Sequence, residues 1–181
     1  MFGLFGRRVA PADPVTFLNE ITIASPPEEV FALIDVSDPR YRQTGMGHEL
    51  IELGKDDYLL TLVFAPDEPL RVKIGERRSP QFYATRTILA PSMGTLDVVE
   101  EEYTLSRTAD GGTRVSVTTK ATFYAGISWS RYGKELCFVS VACLNELRKL
   151  KLHAERGAEA ARAVMRENDT AKLDRLLAEA L

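Results

Sequence analysis

The stretch that decides the fold is Ile21-Thr-Ile-Ala-Ser-Pro-Pro-Glu-Glu-Val-Phe-Ala-Leu-Ile34. Apolar and polar side chains alternate over residues 15–24, which indicates a strand with one buried face. At Ser25 the period becomes helical: Ser25 can cap a helix, and Pro26 and Pro27 lack amide donors that a first turn leaves unused. The stretch therefore predicts a strand that leads directly into a helix of about ten residues.

Turn-forming residues then divide the chain at the spacing of roughly 8 to 12 residues that is typical of an antiparallel meander. The predicted strands lie near 48–53, 58–65, 70–78, 82–90, 97–107 and 113–124. The separators are Gly54-Lys-Asp-Asp57, Pro66-Asp-Glu-Pro69, Ser79-Pro80, Pro91-Ser-Met-Gly94 and Asp110-Gly-Gly112. With the strand before Ser25, the pattern predicts seven strands.

After Trp129 the pattern becomes helical again, with a three- and four-residue spacing that continues for about 25 residues. The residues at this spacing are Leu136, Val139, Ser140, Cys143, Leu147 and Leu150. An alanine-rich helix continues past Gly157, and Asn168-Asp-Thr170 offers a cap for a last amphipathic segment. We therefore divide the chain into a flexible N-terminal segment (1–14), a main domain (15–155) and a helical C-terminal extension (156–181).

Length and composition exclude several classes of protein. A chain of 181 residues, 45% of them hydrophobic, is one compact domain with an appendage. The 23 basic and 26 acidic residues give a net charge of −3 without a block of like charge, so we expect no nucleic-acid partner. No apolar run is long enough for stable membrane insertion. Cys137 and Cys143 lie about 240° apart around a helix and cannot pair, which favours a cytoplasmic location.

The hairpin around Asp110-Gly111-Gly112 predicts which side chains share a face. A three-residue loop with glycine in the left-handed conformation is a common connection between strands. The resulting pairs are Leu105 with Val117, Tyr103 with Thr119, Glu101 with Ala121, and Val99 with Phe123. This face is apolar except for Glu101, and a buried carboxylate requires either a partner or a raised pKa.

Arg86, on the preceding strand, is the candidate partner of Glu101. The two faces of its strand are Phe82, Ala84, Arg86 and Ile88 on one side and Tyr83, Thr85, Thr87 and Leu89 on the other. Arg86 approaches Glu101 only if the first face points inward, and the pattern leaves both orientations open. Glu101 is then a structural ion pair or a water-contacting group, a polar anchor for a ligand, or a general acid or base, with Tyr103 as the second candidate catalytic residue.

The stretch 21–34, followed by a six-stranded meander and a long C-terminal helix, resembles the START-related SRPBCC superfamily, which includes polyketide cyclase/dehydrase and lipid-transport proteins. The resemblance covers roughly residues 15–155. It implies an α+β helix-grip fold, in which a curved seven-stranded antiparallel sheet wraps round the long helix and leaves an apolar cavity, with short helices after the first strand. Members often carry a tryptophan soon after the first helix, where this chain has Tyr41-Arg-Gln-Thr-Gly-Met-Gly47.

This resemblance implies binding or transport of a small hydrophobic molecule, lipid-like or aromatic, in the cavity. The expected ligand-binding residues are Leu62, Phe64, Val72, Ile74, Arg86, Glu101, Tyr103, Thr119, Phe123, Ser140, Cys143 and Leu147. One alternative is a polyketide cyclase- or dehydratase-like enzyme that uses Glu101 or Tyr103 for proton transfer. The other is an interaction module with a filled core, whose C-terminal helices form a homodimer. We expect no metal and no cofactor, because the chain has only two histidines and no phosphate-loop motif.

Overall fold

The computed structural model describes residues 10–90 and 94–179. Within these ranges, one antiparallel sheet contains the strands β1 (Val15–Ile23), β2 (Glu49–Gly54), β3 (Asp57–Leu62), β4 (Ala65–Arg78), β5 (Phe82–Ile88), β6 (Leu96–Arg107) and β7 (Thr113–Phe123). The helices there are α1 (Pro27–Ile34), α2 (Arg42–Gly45), α3 (Trp129–Ala163) and α4 (Thr170–Ala178). The strand order β1-β7-β6-β5-β4-β3-β2 places the first strand beside the last. The predicted curled sheet with a long C-terminal helix is confirmed.

The junction between β1 and α1 joins the sheet to the long helix. Pro26 is the N-cap residue of α1 and Pro27 occupies its first turn, so the predicted helix start is confirmed. The predicted cap by Ser25 is wrong, because the Ser25 hydroxyl instead donates a hydrogen bond of 2.8 Å to the carbonyl oxygen of Ala154 in α3. Since Pro27 has no amide hydrogen, one of the donors that a cap would satisfy is missing.

The turn between β3 and β4 differs from the prediction. It lies at Val63 and Phe64, and the segment 66–69, expected to separate two strands, belongs to β4. Between the pairs Leu60–Leu70 and Leu62–Ala65, β4 contains four residues where β3 contains one. Both prolines lie in this irregular part of the ladder, where their missing amide hydrogens cost no strand–strand hydrogen bond.

The loop between β6 and β7 has the predicted length at a shifted position. The Thr108 amide donates a 2.9 Å hydrogen bond to the Gly112 carbonyl, which leaves a three-residue loop, 109–111. Gly111 adopts a φ of +90°, the left-handed conformation that glycine adopts without strain. The loop begins one residue earlier than predicted, so every strand pair shifts by two residues.

The shift changes which residues pair between β6 and β7, but it does not change which side chains point inward. Glu101 pairs with Thr119 and Tyr103 with Val117, where we had predicted Ala121 and Thr119. Because side chains alternate with a period of two, an even shift leaves the same residues pointing inward. The predicted inward face of this hairpin, with Glu101 on it, is therefore correct.

The orientation of β5, which the sequence pattern left open, is resolved by burial. Tyr83 is fully buried, whereas Arg86 is exposed. The Tyr83 hydroxyl accepts a 2.9 Å hydrogen bond from the Val36 amide just after α1. The face with Tyr83, Thr85 and Thr87 is therefore the inner one.

The C-terminal extension packs on the long helix. Gly157, with φ 85° and ψ 174°, interrupts α3, and the chain then continues as helix to Ala163. Asp169 caps α4 by accepting hydrogen bonds from the amides of Ala171 and Lys172, as predicted.

None of the described helices is both long and apolar enough to cross a membrane.

The apolar stripe of α4 faces its own chain. Leu173 is 1% exposed and packs with Leu152 and Val164 in a small separate core. A homodimer through the C-terminal helices, one of the alternatives from the sequence, could therefore not use Leu173 in this packing, and Leu181 lies outside the described residues.

We expect Leu173→Ala to lower the free energy of unfolding by about 2–5 kcal/mol, because it leaves a cavity between α3 and α4. Leu18→Ala, at a residue that is 72% exposed, is the control and should change stability by less than about 0.5 kcal/mol. Urea unfolding measures both values. Equal effects of the two substitutions would show that α4 does not pack stably on α3.

Candidate functional site

A cavity of about 200 Å³ lies between the α1–α2 segment and the inner face of the sheet. Its apolar lining residues are Ile34, Val36, Leu60, Leu70 and Val72. The polar side chains that line it are those of Tyr41, Arg42, Gln43, Tyr83, Thr85, Thr87, Glu101, Tyr103 and Glu146. An engineered apolar cavity of about 150 Å³ is enough to hold benzene, so this space has the size of a single substituted ring.

Four of these residues separate this cavity from a second void of about 10 Å³. They are Arg42, Glu101, Tyr103 and Glu146, which line both spaces and are called the polar wall below. The remaining lining of the small void is Asn19, Val117, Thr119, Cys143, Leu147 and Leu150. The polar wall therefore stands between the cavity and the part of the interior where α3 packs on β1 and β7.

Arg42 is the cation of the polar wall. It belongs to the short helix α2, and its side chain is only 10% exposed. Its Nη1 donates to the carbonyl oxygen of Glu146 at 3.1 Å and lies 3.2 Å from the Glu146 Oε2. Burial alone would lower the pKa of Arg42. The neighbouring acidic groups, Glu146 first and then Tyr103, Tyr41 and Glu101, together outweigh burial and raise the pKa, so the guanidinium stays charged.

Glu146 is the anion of the polar wall and is held by two cations. Lys149 is 5% exposed, and its Nζ lies 3.1 Å from the Glu146 Oε1. Burial acts to raise the pKa of Glu146, but the charges of Arg42 and Lys149 outweigh it and lower the pKa. Glu146 is therefore ionised at neutral pH.

Two basic side chains, Lys149 and Arg162, connect the C-terminal extension to the neighbours of the polar wall. The Lys149 Nζ also donates to the carbonyl oxygen of Met165, at 2.9 Å. The Arg162 Nη2 donates to the Gly45 carbonyl oxygen at the end of α2, at 2.7 Å. These bonds hold the extension against both Glu146 and the helix that carries Arg42.

Glu101 is the second carboxyl group of the wall. The Tyr103 hydroxyl donates a 3.2 Å hydrogen bond to its Oε2, since side chains two apart on a strand share a face. Burial raises the pKa of Glu101. The Arg42 charge and the Tyr103 hydrogen bond lower it by less, so the pKa is raised overall. Burial also raises the pKa of Tyr103 well above its usual value, so this phenol remains a hydrogen-bond donor.

The structure divides the predicted ligand-binding residues among several places. Val72, Glu101 and Tyr103 line the 200 Å³ cavity, and Glu101, Tyr103, Thr119, Cys143 and Leu147 line the smaller void. Leu62 and Ile74 pack at the edge of the core formed by Tyr58, Leu60 and Val72. Phe123 packs edge-on against Tyr132, with 5.3 Å between the ring centroids.

Three predicted residues lie outside the interior. Arg86 is on the outer face of the sheet, where its Nη1 bonds the Glu100 Oε1 at 2.6 Å, so its proposed pairing with Glu101 is wrong. Ser140 is exposed because α3 turns Val139 inward, and a serine fits either helix face. Phe64 is 48% exposed at the β3–β4 turn.

Two charged residues of the wall were missed in the sequence. Glu146 lies among the inward residues Cys143, Leu147 and Leu150, so a carboxylate that interrupts the apolar stripe of α3 was the available signal. Arg42 had no comparable signal, because α2 has four residues and no periodicity. Its partner is 104 residues away in the chain.

The structure gives little support for nucleophilic catalysis by Cys143 or for a metal site. Burial raises the pKa of the Cys143 thiol to about 11, so it is not a thiolate nucleophile at neutral pH. The Nδ1 of His48 accepts a 3.2 Å hydrogen bond from the Val63 amide. Within residues 10–90 and 94–179, no three His, Cys, Asp or Glu side chains are grouped to hold a metal ion.

Comparison with known proteins identifies the fold. No protein-family model and no curated protein matches the chain. Among solved structures, Ara h 8.0201 aligns with a TM-score of 0.55 and 16% identity over 83% of this chain and 96% of that one. A conserved protein from Geobacillus kaustophilus gives 0.57 and 17% over 77% and 95% of the two chains. CalU16 from Micromonospora echinospora gives 0.54 and 16% over 97% and 94%.

These structural alignments establish the fold, but the sequence identities are too low to assign a function. The chain has the helix-grip architecture that its resemblance to the SRPBCC superfamily implies. CalU16 aligns over nearly the whole chain, and the other two align over about four fifths of it. Which molecule such a fold accepts depends on the residues that line its own cavity.

The raised pKa of Glu101 predicts a pH-dependent effect of Glu101→Gln. Because the folded state holds the Glu101 proton more tightly than the unfolded state, this residue costs stability as pH rises above the ordinary glutamate pKa of about 4.3. The variant should therefore be more stable than the natural protein at pH 8, with a difference that vanishes near pH 4. Urea unfolding across this range measures it.

Tyr103→Phe provides the matched comparison for that measurement. It removes the hydrogen bond that favours the ionised carboxylate, so the pKa of Glu101 should rise further in a carboxyl ¹³C NMR titration. A Glu101 that titrates at or below the ordinary glutamate range in the natural protein would contradict this description of the site.

Proposed function

We propose that this protein binds a small, ring-sized apolar molecule in the 200 Å³ cavity. The observation that supports this most directly is the cavity itself, with Leu60, Leu70 and Val72 on one side and the polar wall on the other. Small-molecule sites in proteins are mostly apolar and contain a few polar groups that orient the ligand. The lipid-transport members of the superfamily that the chain resembles are consistent with binding in the interior.

The size of the cavity favours an aromatic ligand over a lipid-like one. Pockets for drug-sized molecules usually measure about 300–1,000 Å³, and a long acyl chain also needs an extended channel. The cavity here is closer to the volume that holds one ring. Native mass spectrometry of the protein purified from cell extract, followed by denaturation, would identify a ligand that the protein retains.

We expect Thr87→Phe to abolish ring binding, because its new side chain fills the cavity that Thr87 lines. Thr104→Phe is the matched control, since Thr104 is exposed on the outer face of β6. The probe is 4-fluorotoluene, a neutral single-ring compound, followed by ¹⁹F NMR line broadening. The natural protein and Thr104→Phe should both bind it, and circular dichroism shows whether Thr87→Phe remains folded.

Two results would overturn this proposal. Unchanged binding by a folded Thr87→Phe protein would place the ring outside the cavity. A natural protein that binds no 4-fluorotoluene would remove ring binding altogether. A preference for dodecanoate over the single-ring probe would instead favour a lipid ligand, against the size argument.

We infer that acid catalysis is the second candidate function, because the cavity contains a carboxyl group whose burial favours its protonated form. Glu101 lines the cavity beside Tyr103, and its raised pKa favours the protonated form that a proton donor needs. This arrangement is compatible with a cyclase- or dehydratase-like reaction on a polyketide-like substrate. A substrate of ring size would fit the cavity.

Glu101→Gln separates catalysis from binding. With 3-hydroxycyclohexanone, dehydration releases water and forms an enone that absorbs in the ultraviolet. If Glu101 is the proton donor, the variant should lose this turnover and retain its affinity for the enone product, because the amide keeps the shape of the side chain. If the natural protein does not dehydrate this compound, or if Glu101→Gln retains the turnover, acid catalysis by Glu101 is wrong.

We also propose a cytoplasmic location, which is supported by the free thiols of Cys137 and Cys143. A homodimer through the C-terminal helices has less support, because Leu173 is already covered by α3. The proposed partner is therefore the small molecule in the cavity.

A further inference from the structure

We infer that the ligand is a ring-sized carboxylic acid, bound as its carboxylate through the guanidinium of Arg42. This inference rests on the proposed function and adds the chemical class of the molecule. It is carried by the unused donors of Arg42, by the charges of the polar wall, and by the apolar surface that faces it.

Arg42 has more donors than the protein uses. A guanidinium carries five N–H groups on three nitrogens. In the described part of the chain, only Nη1 is hydrogen-bonded, to the backbone and side chain of Glu146. Nε and Nη2 make no hydrogen bond there, although the side chain is nine-tenths buried.

These two nitrogens keep some accessible surface. Among residues 10–90 and 94–179, the fully buried side-chain nitrogen and oxygen atoms without a hydrogen-bond partner are the Thr95 Oγ1, Arg148 Nη1 and His153 Nδ1, and no atom of Arg42 is among them. Because Arg42 lines the cavity and is otherwise buried, the cavity is where an acceptor can reach these donors. Two adjacent guanidinium nitrogens match the two oxygens of a carboxylate.

The charges around the cavity favour an anion. Arg42 and Lys149 are cations, and Glu146 is the anion that both of them contact. Glu101 adds a second negative charge only when it is ionised, which its burial opposes. With Glu101 protonated, one positive charge remains without a partner, and a ligand carboxylate would balance it.

The opposite side of the cavity suits the ring. Leu60, Leu70 and Val72 face the space from β3 and β4, and their apolar side chains would pack on an aromatic face. The volume of about 200 Å³ limits the ligand to one ring with small substituents. The site thus combines one charged anchor with one apolar surface.

The test compares three probes of the same ring: 4-methylbenzoate, 4-methylbenzamide and toluene. Calorimetry on the full chain should show that the benzoate binds at least tenfold more tightly than the benzamide. Arg42→Met should remove this preference and leave toluene binding within a few-fold of the natural value. Arg40→Met is the matched control, because Arg40 is 63% exposed and pairs with Asp38 at the surface, and it should keep the preference.

The outcomes distinguish this inference from the function on which it rests. If toluene binds but the benzamide equals the benzoate, or if the preference survives Arg42→Met, the carboxylate assignment is wrong and ring binding stands. If none of the three probes binds the natural protein, ring binding itself fails. Should Arg42→Met not fold, Arg42→Gln serves in its place, and the comparison of benzoate with benzamide on the natural protein decides without a variant.

Discussion

The contact between the buried guanidinium of Arg42 and the partly exposed carboxylate of Glu146 is the interaction on which the interior depends. A buried charge is tolerated only when it has an oppositely charged partner and makes further hydrogen bonds. Arg42 does so by contacting both the backbone and the carboxylate of Glu146, and Lys149 binds the other oxygen of that carboxylate. The contact joins α2 to α3 across the interior, and its charged groups line a space that apolar side chains would otherwise close.

This contact also explains why the C-terminal extension belongs to the architecture of the site. Lys149 holds Glu146 with the same ammonium group that holds the Met165 carbonyl, and Arg162 holds the end of α2. Displacement of the extension would remove both bonds and expose Leu152, which it covers. The extension therefore helps to fix the positions of Arg42 and Glu146, although none of its described residues lines either cavity.

The features of the fold that depend on a repeating pattern of apolar residues could be predicted from the sequence. The strands, the long helix α3 and the inward position of Glu101 follow from alternation and helical spacing. The two-residue error in the β6–β7 register did not change which side chains point inward. The cation of the site depends on tertiary geometry instead. Arg86 is near in sequence and points outward to Glu100, whereas Arg42 reaches the interior from a four-residue helix without any pattern. Sequence therefore predicted the carboxyl group of the site and missed its cation.

Glu101 and Glu146 show how one cavity keeps two carboxyl groups in different states. Glu146 contacts Arg42 and Lys149 directly, and their charges outweigh the burial that would protonate it. Glu101 receives one hydrogen bond from Tyr103 and no direct salt bridge in the described residues, so burial dominates its pKa. The surroundings thus favour the ionised form of Glu146 and the protonated form of Glu101. The proposed binding and the proposed proton transfer would therefore use the same polar wall.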